Sequence, residues 1–109
     1  PVLGRSWEGF VLEEIMRREK LSHPHTQFFF WRTAAGAEAD MVMDRGGIPI
    51  ALEVKCGALE RAIEAKRFSN TLPDIGAEKG YVLDQGTGRR AILPRVECRG
   101  FADDVTWLP

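Results

Sequence analysis

Three charged residues, Asp40, Glu53 and Lys55, carry the first chemical signal in this chain. Asp40 closes the run Glu38-Ala39-Asp40. Glu53 and Lys55 flank Val54 in Leu52-Glu53-Val54-Lys55, and a Gly-Gly turn lies between the two runs. Centring that turn between Gly46 and Gly47 sets Asp40 directly across from Glu53 on an antiparallel hairpin, and Glu38 across from Lys55. Directly opposed β-carbons lie about 4.5–5.5 Å apart. Two carboxylates at that spacing repel, and a divalent cation between them turns the repulsion into binding. Mg²⁺ takes oxygen ligands, commonly one or two protein carboxylates with water and substrate phosphate. Asp40 and Glu53 would supply the carboxylates to Mg²⁺ or Mn²⁺, and the Val54 carbonyl a third oxygen. Lys55 would orient or deprotonate a water, or stabilise charge on phosphate. The competing reading is a solvated face with a Glu38–Lys55 cross-strand pair.

Further residues have a functional and a plain reading each. Glu8 falls inside the apolar stripe of a helix, beside Val11, Leu12 and Ile15. A buried Glu needs a partner, so it is either a further carboxylate for the metal site or an edge residue paired with an Arg. Lys66 and Arg67 lie on a second helix and are either phosphate contacts or solvated cations. Trp31-Arg32 offers a stacking ring and a phosphate contact, or a core aromatic with one solvated Arg. His23-Pro24-His25 has the H-x-H form of a metal site, but the proline and the lack of further ligands favour a plain loop. Gly86-Thr87-Gly88-Arg89-Arg90 is glycine-rich without the spacing of a Walker A loop, and a hairpin turn accounts for it.

The elements that must hold these residues follow from hydrophobic period. Leu3, Trp7, Val11 and Ile15, with Phe10 and Leu12, recur at helical spacing from about Leu3 to Glu19, and Ser22-His23-Pro24-His25 ends the helix. Gln27 to Arg32 reads as a buried aromatic strand. Ala37 to Asp44 and Ile48 to Cys56 alternate strictly: Ala37, Ala39, Met41 and Met43 share one face with Ile48, Ile50, Leu52 and Val54. A helix follows over about Ala58 to Asn70, then a loop from Pro73 to Gly76. A short strand, buried if parallel, runs from Gly80 to Leu83, and another from Ala91 to Leu93. From Arg95 onward we expect a short strand and an irregular segment packed by Trp107.

Length and composition bound the class. At 109 residues the chain forms one domain, and 44% hydrophobic with 28% charged residues is ordinary for a soluble globular protein. A net charge of -1 argues against a polybasic protein but leaves room for a local basic patch. No apolar run reaches a membrane span, and no secretory signal is visible. Cys56 and Cys98 are too few for a disulfide framework, so a reducing, cytoplasmic setting is expected. The first residue is Pro1 rather than Met, which suggests a part of a longer protein.

Together Glu8, Asp40, Glu53 and Lys55 resemble the PD-(D/E)XK nuclease superfamily. Glu8 matches its acid on the first helix, Asp40 the acid on the second strand, and Glu53 and Lys55 the E-x-K on the third. Ala39 stands where the superfamily name has Pro, a position that varies widely. More narrowly, Trp7-Glu8-Gly9-Phe10-Val11, Phe30-Trp31-Arg32, Glu38-Ala39-Asp40 and Leu52-Glu53-Val54-Lys55 are similar to an uncharacterised domain at the C-terminus of bacterial and archaeal AAA-type ATPases. The resemblance covers Leu3 to about Leu93. It implies an α/β (α+β) fold of restriction-endonuclease-like type, α-β-β-β-α-β, with a mixed central sheet flanked by helices. It also implies DNA as substrate and an upstream AAA-type ATPase as partner. Two functions follow. One is Mg²⁺-dependent hydrolysis of DNA, for which the intact four-residue set speaks. The other is a catalytically silent accessory module contacting DNA or protein, for which the near-neutral charge and the lack of an evident DNA-binding stripe speak.

Overall fold

A computed structural model of the protein describes residues 2–32, 38–55, 62–86 and 88–101, with residues 2–6, 32, 38, 62–64 and 92 described by backbone alone. The chain opens with α1 (Val2–Ser22) and continues into β1 (Gln27–Arg32), β2 (Glu38–Arg45) and β3 (Ile48–Val54). Two helices follow, α2 (Ala62–Ser69) and α3 (Leu72–Ile75), then β4 (Gly80–Asp84), β5 (Arg89–Leu93) and β6 (Val96–Gly100). The sheet order is β1-β2-β3-β4-β6-β5. The first three strands are antiparallel, β4 joins β3 in parallel after the helices, β6 joins β4 in parallel, and β5 returns antiparallel at the far edge. This is the mixed α+β architecture expected from the sequence.

The helix α1 is rich in strong helix formers from Leu12 to Leu21 and has no proline before its end, and Pro24 stops it just past Ser22. Glu14 braces its exposed side by pairing with Arg17 and, at 3.1 Å, with Arg18. Its buried stripe, Val11 and Ile15, packs with Met41, Met43, Ile50, Leu52, Val54, Tyr81 and Leu83. Glu19 ties its last turns to the hairpin. This buried carboxylate accepts from Arg45 Nη2 at 2.7 Å, Arg45 Nε at 2.9 Å and Thr26 Oγ1 at 2.6 Å. Burial pushes the Glu19 carboxyl up, but the hydrogen bonds from Arg45 and Thr26 outweigh it and hold it below the usual range.

On the other sheet face, α2 and α3 bury Ala65, Phe68 and Leu72 against Ala39, Ala51, Val82, Val96 and Cys98. Close approach here depends on small residues. A β-carbon on Gly80 would sit 2.5 Å from Phe68 Cε2. Burial raises the Cys98 thiol to about 11, so it serves as a core residue rather than a nucleophile.

Three local expectations are corrected. Residues 27–32 form an edge strand rather than a buried one, and Phe30 is 77% exposed, because among the described residues nothing pairs beyond β1. The Pro73–Gly76 loop is largely a short helix, since Pro is accepted in a first helical turn and Gly76 closes the last turn at φ 83°. Ala39 does not share a face with Met41 and Met43. Phe29 opposes Val42 while Trp31 opposes Ala39, so the single residue Phe30 faces two, Asp40 and Met41. This is a β-bulge, and it turns Ala39 to the α2 side.

Adding a methyl at Gly80 pushes on the Phe68 ring in a packed layer. Gly80→Ala should therefore lower stability by about 1–3 kcal/mol. The midpoint of thermal unfolding should fall by several degrees, read by circular dichroism.

Candidate functional site

The bulge positions the site. The β2–β3 hairpin keeps the expected register from Arg45–Ile48 to Met41–Leu52, and Gly46 and Gly47 make its turn at φ 61° and 91°. Continued by one step, that register pairs Asp40 with Glu53. The ladder stops there, and side chains take over from backbone. Val54 N–H donates to Asp40 Oδ2 at 2.7 Å, and Asp40 N–H donates to Glu53 Oε1 at 3.2 Å. Each carboxylate thus caps the other strand's backbone, and the two acids are drawn together.

Glu53 is 8% exposed. Burial raises its carboxyl to about 8, helped by the Asp40 charge and a hydrogen bond between the two carboxyl groups, while Lys55 pulls the other way. At neutral pH the pair therefore holds a proton. Lys55 Nζ stands 3.5 Å from Glu53 Oε2. Lys55 N–H donates to the Leu83 carbonyl at 2.9 Å, which fixes the end of β3 against β4.

The structure thus gathers Asp40, Glu53, Lys55 and the Val54 backbone. The Val54 contribution seen is its N–H. Glu8 lies half-buried on α1 and makes no hydrogen bond or ion pair among the described residues. Lys66 and Arg67 lie near the end of α2, and both are exposed. The Arg32 and Glu38 side chains lie outside the described residues, as do Cys56 and Trp107. The expected Glu38–Lys55 pair therefore lies outside the described residues, and Lys55 pairs with Glu53. Among the described residues no third Asp, Glu, His or Cys joins the acids into a larger cluster.

Two other motifs take plain structural roles, but the expected hairpin turn is corrected: β6 lies between β4 and β5, so the glycine-rich segment joins two strands that do not pair with each other. His23 Nδ1 sits 3.6 Å from Glu19 Oε2, beside the Arg45 bridge, and His25 is exposed. In the glycine-rich turn, the buried Asp84 accepts from Gly86 N–H at 2.9 Å and from both terminal nitrogens of Arg90 at 3.1 and 2.5 Å. That turn is closed on its own ion pair. The sequence reading missed a third cluster, in which Glu97 is ringed by Lys79, Arg89 and Arg99. Its one legible trace is the alternation Arg95-Val96-Glu97-Cys98-Arg99, a strand with a charged face.

Residues 3–97 match the model of a family described as a domain of unknown function, DUF4143. The chain belongs to this family. Two curated relatives are uncharacterised proteins of Mycobacterium bovis and Mycobacterium tuberculosis, each 42% identical over 55 residues. That alignment covers 50% of this chain and 12% of each relative, so the matched segment is a small part of those proteins. No solved structure matches the chain. Among the described residues no helix is long and apolar enough to cross a membrane.

The raised Glu53 carboxyl has a consequence for stability. Between the ordinary value of 4.5 and the folded value of about 8, the folded chain binds a proton that the unfolded chain does not. Stability contributed by this group is then full below 4.5 and lost as pH rises through about 8. Glu53→Gln imitates the protonated acid. It should lose less stability than wild type between acid and alkaline pH, by roughly 1–3 kcal/mol in urea unfolding. Parallel pH profiles for the two proteins would show that the carboxyls do not share a proton.

Proposed function

We propose that the domain is a divalent-metal-dependent phosphodiesterase acting on DNA, with Asp40 and Glu53 as metal ligands and Lys55 as the catalytic cation. One observation carries this reading: two carboxyl groups are held against each other beside a lysine, with a proton retained near neutral pH. A structural ion pair needs one acid per base, and here the second acid raises the first. Oxygen donors of this type suit Mg²⁺ or Mn²⁺. Such an ion, when bound, would neutralise both carboxylates and charge building on a phosphate.

The chain's own groups then have distinct tasks. Asp40 is oriented by the Val54 N–H and Glu53 by the Asp40 N–H, so both oxygens are fixed before any ligand arrives. Glu53 would have to give up its proton to solvent to hold such an ion. Lys55, 38% exposed beside Glu53, would offer its ammonium to a non-bridging phosphate oxygen or orient the attacking water. Glu8, half-buried on α1, is a further carboxylate for the same chemistry, and Lys66, Arg67 and Arg32 are candidate phosphate contacts. Family membership supports an upstream AAA-type ATPase as partner, since this domain is often found with such ATPases.

An accessory role without catalysis is the second reading. The observation in its favour is the aromatic edge: Phe29, Phe30, Trp31, Val42, Pro49 and Ile75 line an open cavity of about 480 Å³. Such a surface suits binding more than hydrolysis.

A cleavage panel of single-stranded, double-stranded and branched DNA with Mg²⁺ or Mn²⁺ separates the two. Asp40→Ala and Lys55→Ala should each reduce cleavage by about 100-fold or more. Lys55→Ala should still bind Mn²⁺ in calorimetry, because lysine offers no ligand oxygen. Lys55→Arg should restore little cleavage, since a planar fork replaces a compact ammonium. Cleavage that both alanine variants leave intact belongs to a contaminant, and the accessory role then stands. Mn²⁺ affinity should rise about tenfold per pH unit up to about 8 and level off above it, as displacement of one proton requires.

A further inference from the structure

Three cations converge on one buried carboxylate on the sheet face that carries α1. Glu97, in β6, is 4% exposed. Lys79 Nζ lies 3.2 Å from its Oε1 and Arg89 Nε 3.0 Å from the same oxygen, while Arg99 Nε lies 2.8 Å from Oε2. These residues come from the approach to β4, the start of β5 and the middle of β6. Registers Tyr81–Glu97, Leu83–Arg99 and Arg89–Arg99 set them on one face, continuous with the Tyr81 and Leu83 side of the α1 core.

Burial pushes the Glu97 carboxyl up, but hydrogen bonds from Arg99 and Lys79 and the nearby positive charges hold it below the usual range. With Glu97 ionised, its one negative charge faces the cations of Lys79, Arg89 and Arg99, in a chain whose net charge is -1. Exposed Arg95 and Glu78 flank the cluster and cancel each other. Two of the cations stay open to solvent. The Arg89 side chain is 64% exposed and meets Glu97 through Nε. The Lys79 side chain is 41% exposed, with its ammonium 5.6 Å from the Tyr81 ring centroid.

A central carboxylate that already orders three long side chains reduces the rotamer freedom they give up on closing upon a ligand. Guanidinium forks match phosphate oxygens. Duplex DNA carries a charge about every 1.7 Å along its axis, so several phosphates fall within a surface three strands wide. We infer that the Lys79–Arg89–Arg99 surface, organised by Glu97, grips the phosphate backbone of nucleic acid without reading its sequence. The surface stands on its own charge geometry, and the choice of nucleic acid over another polyanion rests on the phosphodiesterase reading. Backbone contacts of this kind position a strand and carry no base information.

The test is fluorescence anisotropy with labelled random-sequence duplex DNA and with labelled polyglutamate, in EDTA so that nothing is cleaved, across a KCl series. Wild type should bind the DNA more tightly than polyglutamate, with log affinity falling linearly in log salt. The double variant Lys79→Gln/Arg89→Gln, altered at two exposed side chains and checked for an unchanged melting midpoint, should bind at least about tenfold more weakly. Its salt slope should shrink by about 0.9 for each phosphate no longer neutralised. Asp40→Asn should lose cleavage in Mg²⁺, so failure of the catalytic reading is visible separately from failure of DNA binding. Wild-type affinity and slope in the double variant, no DNA binding by wild type, or equal binding of polyglutamate would each overturn the proposal.

Discussion

The end of the β2–β3 ladder is the constraint on which the rest of the site depends. Past Met41–Leu52 the backbone pairing stops, yet Val54 N–H is buried between strands and must be satisfied. Asp40 satisfies it with a carboxylate, and Glu53 does the same for Asp40 N–H. An amide or hydroxyl could fill either role without a charge conflict. The choice of two acids puts a buried carboxyl next to another, and the proton Glu53 holds up to about 8 is the direct consequence. The bulge opposite Phe30 makes this possible, because two residues in place of one bring Asp40 out of the strict alternation.

The two faces of the sheet hold this point steady in different ways. On one face α1 packs large apolar side chains, and Glu19 clamps its far end to Arg45 at the hairpin turn. The hairpin is therefore fixed at the end remote from Asp40, and its open end carries the site. On the other face α2 and α3 lie close on Ala51 and Gly80, which lets β4 run parallel beside β3 and lets Leu83 accept the Lys55 N–H. Lys55 is thereby held by backbone on one side and by Glu53 on the other.

Much of this was legible in the sequence because period and turn chemistry are local. The alternating strands, the Gly46-Gly47 turn and the register that follows from it are properties of a single stretch of chain, and they correctly brought Asp40 to Glu53. What was not legible is set by distant neighbours. The bulge depends on β1, so strict alternation puts Ala39 on the wrong face. Phe29 and Phe30 read as core because aromatics usually are, but burial of a strand needs a neighbour on each side, and β1 is an edge. The Glu97 cluster joins Lys79, Arg89 and Arg99 from separate turns and strands, and no short window of sequence contains it.

Net charge shows the same limit in another form. A value of -1 describes a chain without a preferred polyanion partner only if its charges are mixed in space. Here they are sorted. The acids at the open end of the hairpin sit together with Glu53 desolvated, and Lys79 before β4, Arg89 of β5 and Arg99 of β6 sit around one carboxylate on the α1 side of the sheet. Coulomb interactions between exposed groups fade over about 8–10 Å in physiological salt. A ligand therefore responds to the local sum rather than to the total, and a near-neutral protein can present an acidic site and a basic surface at once. Sorting of this kind costs stability through like-charge repulsion in both clusters, and each cluster offsets it differently. Glu97 neutralises part of the charge that gathers around it. The Asp40–Glu53 pair has the ammonium of Lys55 beside it, and it keeps a proton until a rise in pH removes it.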